Sequence, residues 1–252
     1  MEVYYLIVFF ILGAIFGSFF NVVGYRMPLN ESIINPPSHC PKCNHKLTPI
    51  ELIPIFSYIL QKGKCKHCQT KISLFYLVFE LVTAVLFSLI YLIYGLTPDI
   101  IIPLTFVSML IIITISDYNH MIINDKILIT FSLILSIEIL ILNGPEFLLH
   151  SIINALLAFI TMWGIKKMGD FIFKRESMGG GDIKLLGIFG LVLGYPMAIL
   201  SIFLGSIVGL PIAILTMNKS RIIPFGPFLA AGALIIVLAK IDTNMIKTVL
   251  GF

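Results

Sequence analysis

Apolar runs dominate the chain, and polar residues gather in the gaps between them. A helix needs about 20 mostly apolar residues to cross a ~30 Å hydrocarbon core, and runs of that kind cover 3–25, 74–94, 99–116, 127–143, 147–165, 197–217 and 223–239. The run 183–195 is apolar but shorter, giving about 20 Å of helix at ~1.5 Å per residue. The pattern predicts an all-α polytopic membrane protein of about eight transmembrane helices. The first run is preceded only by Glu2 and leads through Asn21 to Arg26 rather than to a small-residue cleavage site. It reads as a retained span and not as a signal peptide. Only 26–72 is long and polar enough to fold outside the bilayer, so the expected division is 1–25 as a first helix, 26–72 as a cytoplasmic loop domain and 73–252 as the remaining transmembrane domain.

Composition agrees. Of 252 residues, 58% are hydrophobic and 12% charged, against about 25% charged in soluble domains. The distribution of charge adds orientation. Arg26, Lys42, Lys46, Lys62, Lys64, Lys66 and Lys71 lie in the loop, Lys126 follows the third long run, and Lys166, Lys167, Lys174, Arg175 and Lys184 lie in 166–184, with Lys219 and Arg221 beyond. The turns "GLTPD", "NGPE" and "GYP" carry no Lys or Arg. With eight crossings these cations share one face, which the positive-inside rule makes cytoplasmic, with both termini outside. The net charge of +4 is then a topology signal. Dispersed cations without a basic helix or an aromatic binding motif exclude a nucleic-acid surface.

All four cysteines fall in the loop. Cys40 and Cys43 form one C-x-x-C pair, and Cys65 and Cys68 form another after 21 intervening residues. Two tight turns with two thiolates each supply the tetrahedral set of a structural zinc site. The competing reading, two disulfides or a redox pair, sits poorly in a reducing cytosol. His39, His45 and His67 flank the cysteines, but four sulfurs already fill a tetrahedron. A loop of about 45 residues is near the size at which a core alone is insufficient, which gives the metal a structural role. The apolar stretch "IELIPIFSYIL" between the turns reads as packing.

The candidate chemistry lies in two aspartates at span ends, where acids are costly. Asp117 ends the run 99–116 in "ITISDYNHMIIND", and Asp182 follows three glycines in "SMGGGDIKLL". The short helix after Asp182 implies either a locally thinned bilayer or an aspartate recessed in a protein-lined cavity. Glycines here let backbone approach closely, and Gly179, Gly181 and Lys184 are the residues expected to support Asp182. Asp99 and Asp125 read as caps or first-turn residues. Glu80 and Glu138 receive no chemistry, and Asn21 is a candidate for lining the same cavity. Two carboxyls on one water make an aspartic peptidase: one takes the water's proton and the other donates to the scissile carbonyl. Helix dipoles assign the first role to Asp182, at a helix start, and the second to Asp117, at a helix end. No G-x-S-x-G or H-E-x-x-H is present, and the cysteines are committed. The alternatives are an ion- or proton-coupled transporter with a zinc-knuckle regulatory loop, or another GxGD intramembrane protease. The first lacks paired broken helices, and the second has no use for the cysteine loop.

The segments "GSFFNVVGYRMP", "SHCPKCNHKL…ELIPIFSYILQKGKCKHC", "SDYNHMIIND", "GGGDIKL" and "IPFGPFLAAG" together resemble the bifunctional type IV prepilin peptidases with N-methyltransferase activity, membrane aspartic proteases of the GxGD type. The resemblance covers nearly the whole chain. It implies an endopeptidase of the cytoplasmic (inner) membrane, acting at its cytoplasmic face. Such an enzyme removes the short basic leader of prepilins or pseudopilins after a glycine. It then methylates the new N-terminal residue, typically phenylalanine, from S-adenosylmethionine. Residue by residue it makes Asp117 and Asp182 the peptidase pair and Cys40, Cys43, Cys65 and Cys68 the zinc ligands, with Gly63 in the stretch associated with methyl transfer. Asn124 stands where many members have proline. No soluble glycine-rich nucleotide motif is present, so methyl transfer rests on the resemblance.

Overall fold

The computed structural model describes residues 2–216 and 224–241, and the chain divides into two compact units, Met1–Thr97 and Pro98–Phe252. The expected inside segment 218–222, with Lys219 and Arg221, lies outside the described residues, as does Lys247. Helices carry the architecture. Among the described residues the only β pairing is two isolated bridges in the cysteine loop.

In the first unit, α1 (Glu2–Arg26) and α3 (Leu74–Tyr94) pack side by side, and the loop between them holds a five-residue helix, α2 (Phe56–Leu60). Helix α1 has no polar face to direct it, so contact depends on shape. Gly13 and Gly17 recur at a spacing of four, and a Cβ at either would fall 2.7 Å from the Ala84 Cα or 2.9 Å from the Glu80 Cα. Small residues let helix backbones meet in lipid, where no hydrophobic force drives them together. Phe9 stacks on Tyr91 at 5.0 Å one end further along. Ser73 caps α3 by accepting the Phe75 N–H.

The second unit is built on α4 (Ile101–His120), in which Phe106, Val107, Met109, Leu110, Ile113 and Ile115 are fully buried. Around it lie α5 (Asp125–Asn143), α6 (Pro145–Phe173), α7 (Gly180–Leu193), α8 (Tyr195–Thr216) and α9 (Gly226–Leu238). Phe189 of α7 meets Phe106 edge-on at 5.5 Å. Gly190 sets α7 close to α6, since a Cβ there would be 2.8 Å from the Ala158 Cβ.

Apart from α2, the helices follow the apolar runs, and the protein is an all-α, multi-pass membrane protein. Five helical stretches among the described residues are long and apolar enough to cross a bilayer: Glu2–Leu29, Leu74–Tyr94, Pro98–His120, Pro145–Phe173 and Tyr195–Leu215. Helix α5 carries Asp125, Lys126 and Glu138, and α7 and α9 have only 14 and 13 residues.

Candidate functional site: a four-sulfur module and a pair of buried carboxyls

Each C-x-x-C pair sits in the same kind of turn. Cys40 N–H donates to the His45 carbonyl and Asn44 N–H to the Cys40 carbonyl, both at 2.9 Å; Cys65 and Gln69 repeat this with Thr70 and Cys65. Asn44 and Gln69 both take left-handed φ. The bridges His39–Lys46 and Lys64–Lys71 close the two turns. The four cysteines are unbridged, with all Sγ atoms within 4.8 Å of one another and the pairs Cys40–Cys68 and Cys43–Cys65 at 3.7 and 4.0 Å. Four Zn–S bonds of ~2.3 Å in a tetrahedron place sulfurs about 3.8 Å apart, so the set fits zinc. Electrostatics point the same way. The Thr70 hydroxyl and amide draw the Cys68 thiol down to about 6. The His45 amide favours the Cys43 thiolate, but burial and the neighbouring sulfurs outweigh it and push that thiol up to about 12. Sulfurs this close cannot all ionise without a cation among them.

The histidines stand outside this set. His45 lies 3.3 Å from Glu51 and stacks on His67 at 5.2 Å. Glu51 accepts from the Thr48 amide and hydroxyl, both at 2.8 Å, and these bonds with His45 hold its carboxyl down at about 2. Gly63 closes α2 at φ +65, and any Cβ there would meet the Tyr58 Oη at 2.7 Å. Its carbonyl accepts the Ile72 N–H, leading into the second cysteine turn. Glu80, given no chemistry above, accepts the Ile55 N–H at 2.7 Å. Ile55 is a β-branched residue at φ 65, ψ −57, with the Phe56 N–H returning to the Pro54 carbonyl, a strained γ-turn. The buried acid thus ties the apex of the loop to α3. Asn21 donates to the Tyr76 carbonyl at 3.3 Å on the α1–α3 interface.

The second unit brings Asp117 and Asp182 together. Both are buried, at 6% and 7% exposure, and within electrostatic reach of each other. Asp117 lies in the last turn of α4, which ends at Met121 in a left-handed cap whose N–H returns to the Asp117 carbonyl. The Ser116 hydroxyl donates to the Ile122 carbonyl and pins the following turn. Asp182 lies in the first turn of α7, three residues past the N-cap Gly179, where a Cβ would come 3.3 Å from its Oδ2. Oδ1 of Asp182 is buried with no hydrogen-bond partner among the described residues. Gly181 abuts Ile123, where a Cβ would come within 2.6 Å of the Ile123 Cβ. The glycine run therefore lets the start of α7 close on the turn after α4.

Sequence reasoning missed two contacts. Lys184 grips both oxygens of Asp125 at 2.7 Å; as the two are 59 positions apart in the chain, no local pattern signals the pair. Asp125 is the first residue of α5, and Asn124 supplies the cap, accepting the Lys126 N–H. The amide of Gly226, at the start of α9, donates to Oδ2 of Asp117 at 2.9 Å. The segment "IPFGPFLAAG" carried that signal without a role attached. Asp117 thus also faces a helix start, so the dipole asymmetry that separated the two acids loses its force. Glu138 accepts the Thr105 hydroxyl at 2.7 Å, a link between α5 and α4.

A multi-pass helical membrane protein with a paired-aspartate site and a four-cysteine module is the class these features define. Residues 11–94 match the Bacterial Peptidase A24 N-terminal domain and residues 104–214 match the Type IV leader peptidase family. The chain is 38% identical to the prepilin leader peptidase/N-methyltransferase of Bacillus subtilis over 97% of its own length and 99% of that protein's. It is 32% identical to the protein of that name from Neisseria gonorrhoeae, over 91% and 89% of the two chains, and 35% identical to that from Vibrio cholerae, over 77% and 79%. The chain belongs to the type IV leader peptidase family. No solved structure matches it.

Proposed function

We propose that the protein removes the leader from prepilins or prepilin-like proteins and N-methylates the residue that cleavage exposes. Family membership, with relatives named as prepilin leader peptidase/N-methyltransferase, supports the substrate and both activities. The observation that carries the peptidase half is the pair of buried carboxyls at the ends of α4 and α7. Asp117 and Asp182 hold the water: the ionised member takes its proton as it adds to the scissile carbonyl, and the protonated member donates to the carbonyl oxygen. Gly181 supports this by letting the start of α7 approach Ile123 without a Cβ, Gly179 by leaving room beside Oδ2 of Asp182, and Lys184 by joining the starts of α5 and α7 through Asp125.

Cys40, Cys43, Cys65 and Cys68 would hold one structural zinc, which supplies fold energy to the 26–72 module and takes no part in hydrolysis. S-adenosylmethionine is the methyl donor this reading requires. Gly63 belongs to the module and is assigned to the methyl-transfer half. The functional division is 26–72 for this module and 73–252 for the peptidase. The protein spans the cytoplasmic membrane eight times, with the carboxyls facing the cytoplasm and the apolar N-terminal helix of the substrate in the bilayer. No nucleic acid takes part.

The test is incubation of the purified protein with a prepilin, with and without S-adenosylmethionine, followed by product masses. Leader loss without donor, and a further methyl with it, is expected. Asp117→Asn and Asp182→Asn should each lower cleavage at least about 10²- to 10⁴-fold. Full cleavage by either variant removes that residue from the pair.

A further inference from the structure

The segment from Pro224 to Gly232 has no part in the chemistry above, yet its first helical residue touches it. The leading N–H groups of a helix have no intrahelical partner, and the start of α9 leaves one of them pointing away. Pro227 has no N–H, and the Phe228 amide donates to the Phe225 carbonyl at 3.1 Å. The Gly226 amide donates instead to Oδ2 of Asp117, in a buried contact. A Cβ at Gly226 would lie 2.6 Å from that same oxygen and 3.3 Å from the Ile123 Cδ1. No residue with a side chain brings this amide to the carboxyl without displacing it.

We propose that Gly226 is a positioning residue of the aspartic site, an inference that rests on the peptidase reading. Its main-chain N–H fixes Oδ2 of Asp117, and its missing side chain admits the start of α9 at that point. An oxygen occupied by an N–H donor leaves Oδ1 as the atom that exchanges a proton with the water. The Asp117 carboxyl is therefore oriented by a backbone amide, which does not titrate and needs no reorganisation as charge moves.

Replacing Gly226 by glycolic acid through nonsense suppression substitutes an ester oxygen for the N–H and changes no other atom. This N–H makes no intrahelical bond, but the ester also weakens the Phe225 carbonyl, which accepts the Phe228 and Leu229 N–H groups at 3.1 and 3.2 Å, and the thermal midpoint reads that smaller loss. Gly226→Ala keeps the N–H and adds the colliding Cβ. Gly232→Ala is the packing control, since Gly232 abuts the Ser201 backbone of α8. The ester is expected to lower kcat for leader removal about ten- to a hundredfold, the range for a hydrogen bond to a charged group, with KM within about twofold. Gly226→Ala should lower kcat further. Both should methylate an already leaderless prepilin; the ester is expected to lower the thermal midpoint only slightly, Gly226→Ala to lower it through its collision, and Gly232→Ala to lower it through packing alone. An ester variant with wild-type kcat, a loss expressed in KM alone, or a loss matched by falls in methylation and thermal midpoint overturns the proposal. Asp117→Asn, assayed in parallel, separates this from failure of the peptidase reading: if that variant cleaves, the reading itself has failed.

Discussion

Asp117 turns one oxygen to the Gly226 amide, and among the described residues no Arg or Lys forms an ion pair with either carboxyl of the site. The nearby cation, Lys184, is spent on Asp125, and both side chains of that pair are about half exposed. A half-exposed pair is worth about 0.2–1 kcal/mol. Its loss therefore corresponds to less than about a fivefold change in any rate it supports. Asp125→Asn and Lys184→Gln are accordingly expected to cleave prepilin within about fivefold of wild type, measured as kcat/KM. A loss as deep as that of Asp117→Asn would place Lys184 on the substrate or the water instead. The same comparison explains why an acid in the sequence was an uncertain guide. Asp117, Asp125 and Asp182 all stand at helix ends, and what sorts them is burial, which depends on residues far off in the chain.

The stretch from α2 to the second cysteine turn is the element to which the proposed methyl transfer is assigned. Gly63 combines φ +65 with contact to the Tyr58 ring, so a side chain there costs twice, once in backbone strain of about 1–2 kcal/mol and once in collision. Gly63→Ala is expected to release zinc faster to a chelator and to weaken methylation, with leader cleavage kept. Tyr58→Ala on top of Gly63→Ala should recover part of the zinc retention, because it removes the collision and leaves the strain. If the double variant is no better than the single one, the collision is not the cause. The metal itself is tested by Cys40→Ser, which should abolish bound zinc measured by elemental analysis and expose 26–72 to protease while the helices stay inserted. A wild-type protein containing no zinc would refute the site. Elements of this kind were legible because their signals are local. Run length located the helices, and C-x-x-C spacing located the turns. Ile55 against Glu80 and Gly226 against Asp117 were not legible, since each joins a backbone amide to an acid remote in the chain and a backbone amide leaves no mark on residue type.

Across the whole molecule, helix length and charge constrain where the carboxyls sit. Helices α7 and α9 have 14 and 13 residues, about 21 and 20 Å at ~1.5 Å per residue, roughly 10 Å short of a ~30 Å core. Both begin at the aspartates. If α7 ends near the outer surface at Gly194, its first turn lies about 10 Å inside the inner surface, where backbone at membrane depth is tolerated only against protein or water. Buried carboxyls and a packed glycine run meet that condition. The cations supply the direction: the 26–72 loop and the segment from Lys166 to Lys184 hold most of the 17 Lys and Arg, while the turns at 95–99, 143–146 and 194–196 hold none. Fusions ending after Gln61 or Arg175 should therefore give a fluorescent cytoplasmic reporter and an inactive periplasmic-type phosphatase, and fusions after Thr97, Gly144 or Gly194 the reverse. Phosphatase activity at Arg175 would put the glycine run on the face opposite the one that the cations of 26–72 assign to the loop, and the peptidase would then have to work outside, away from the cysteine module that precedes it.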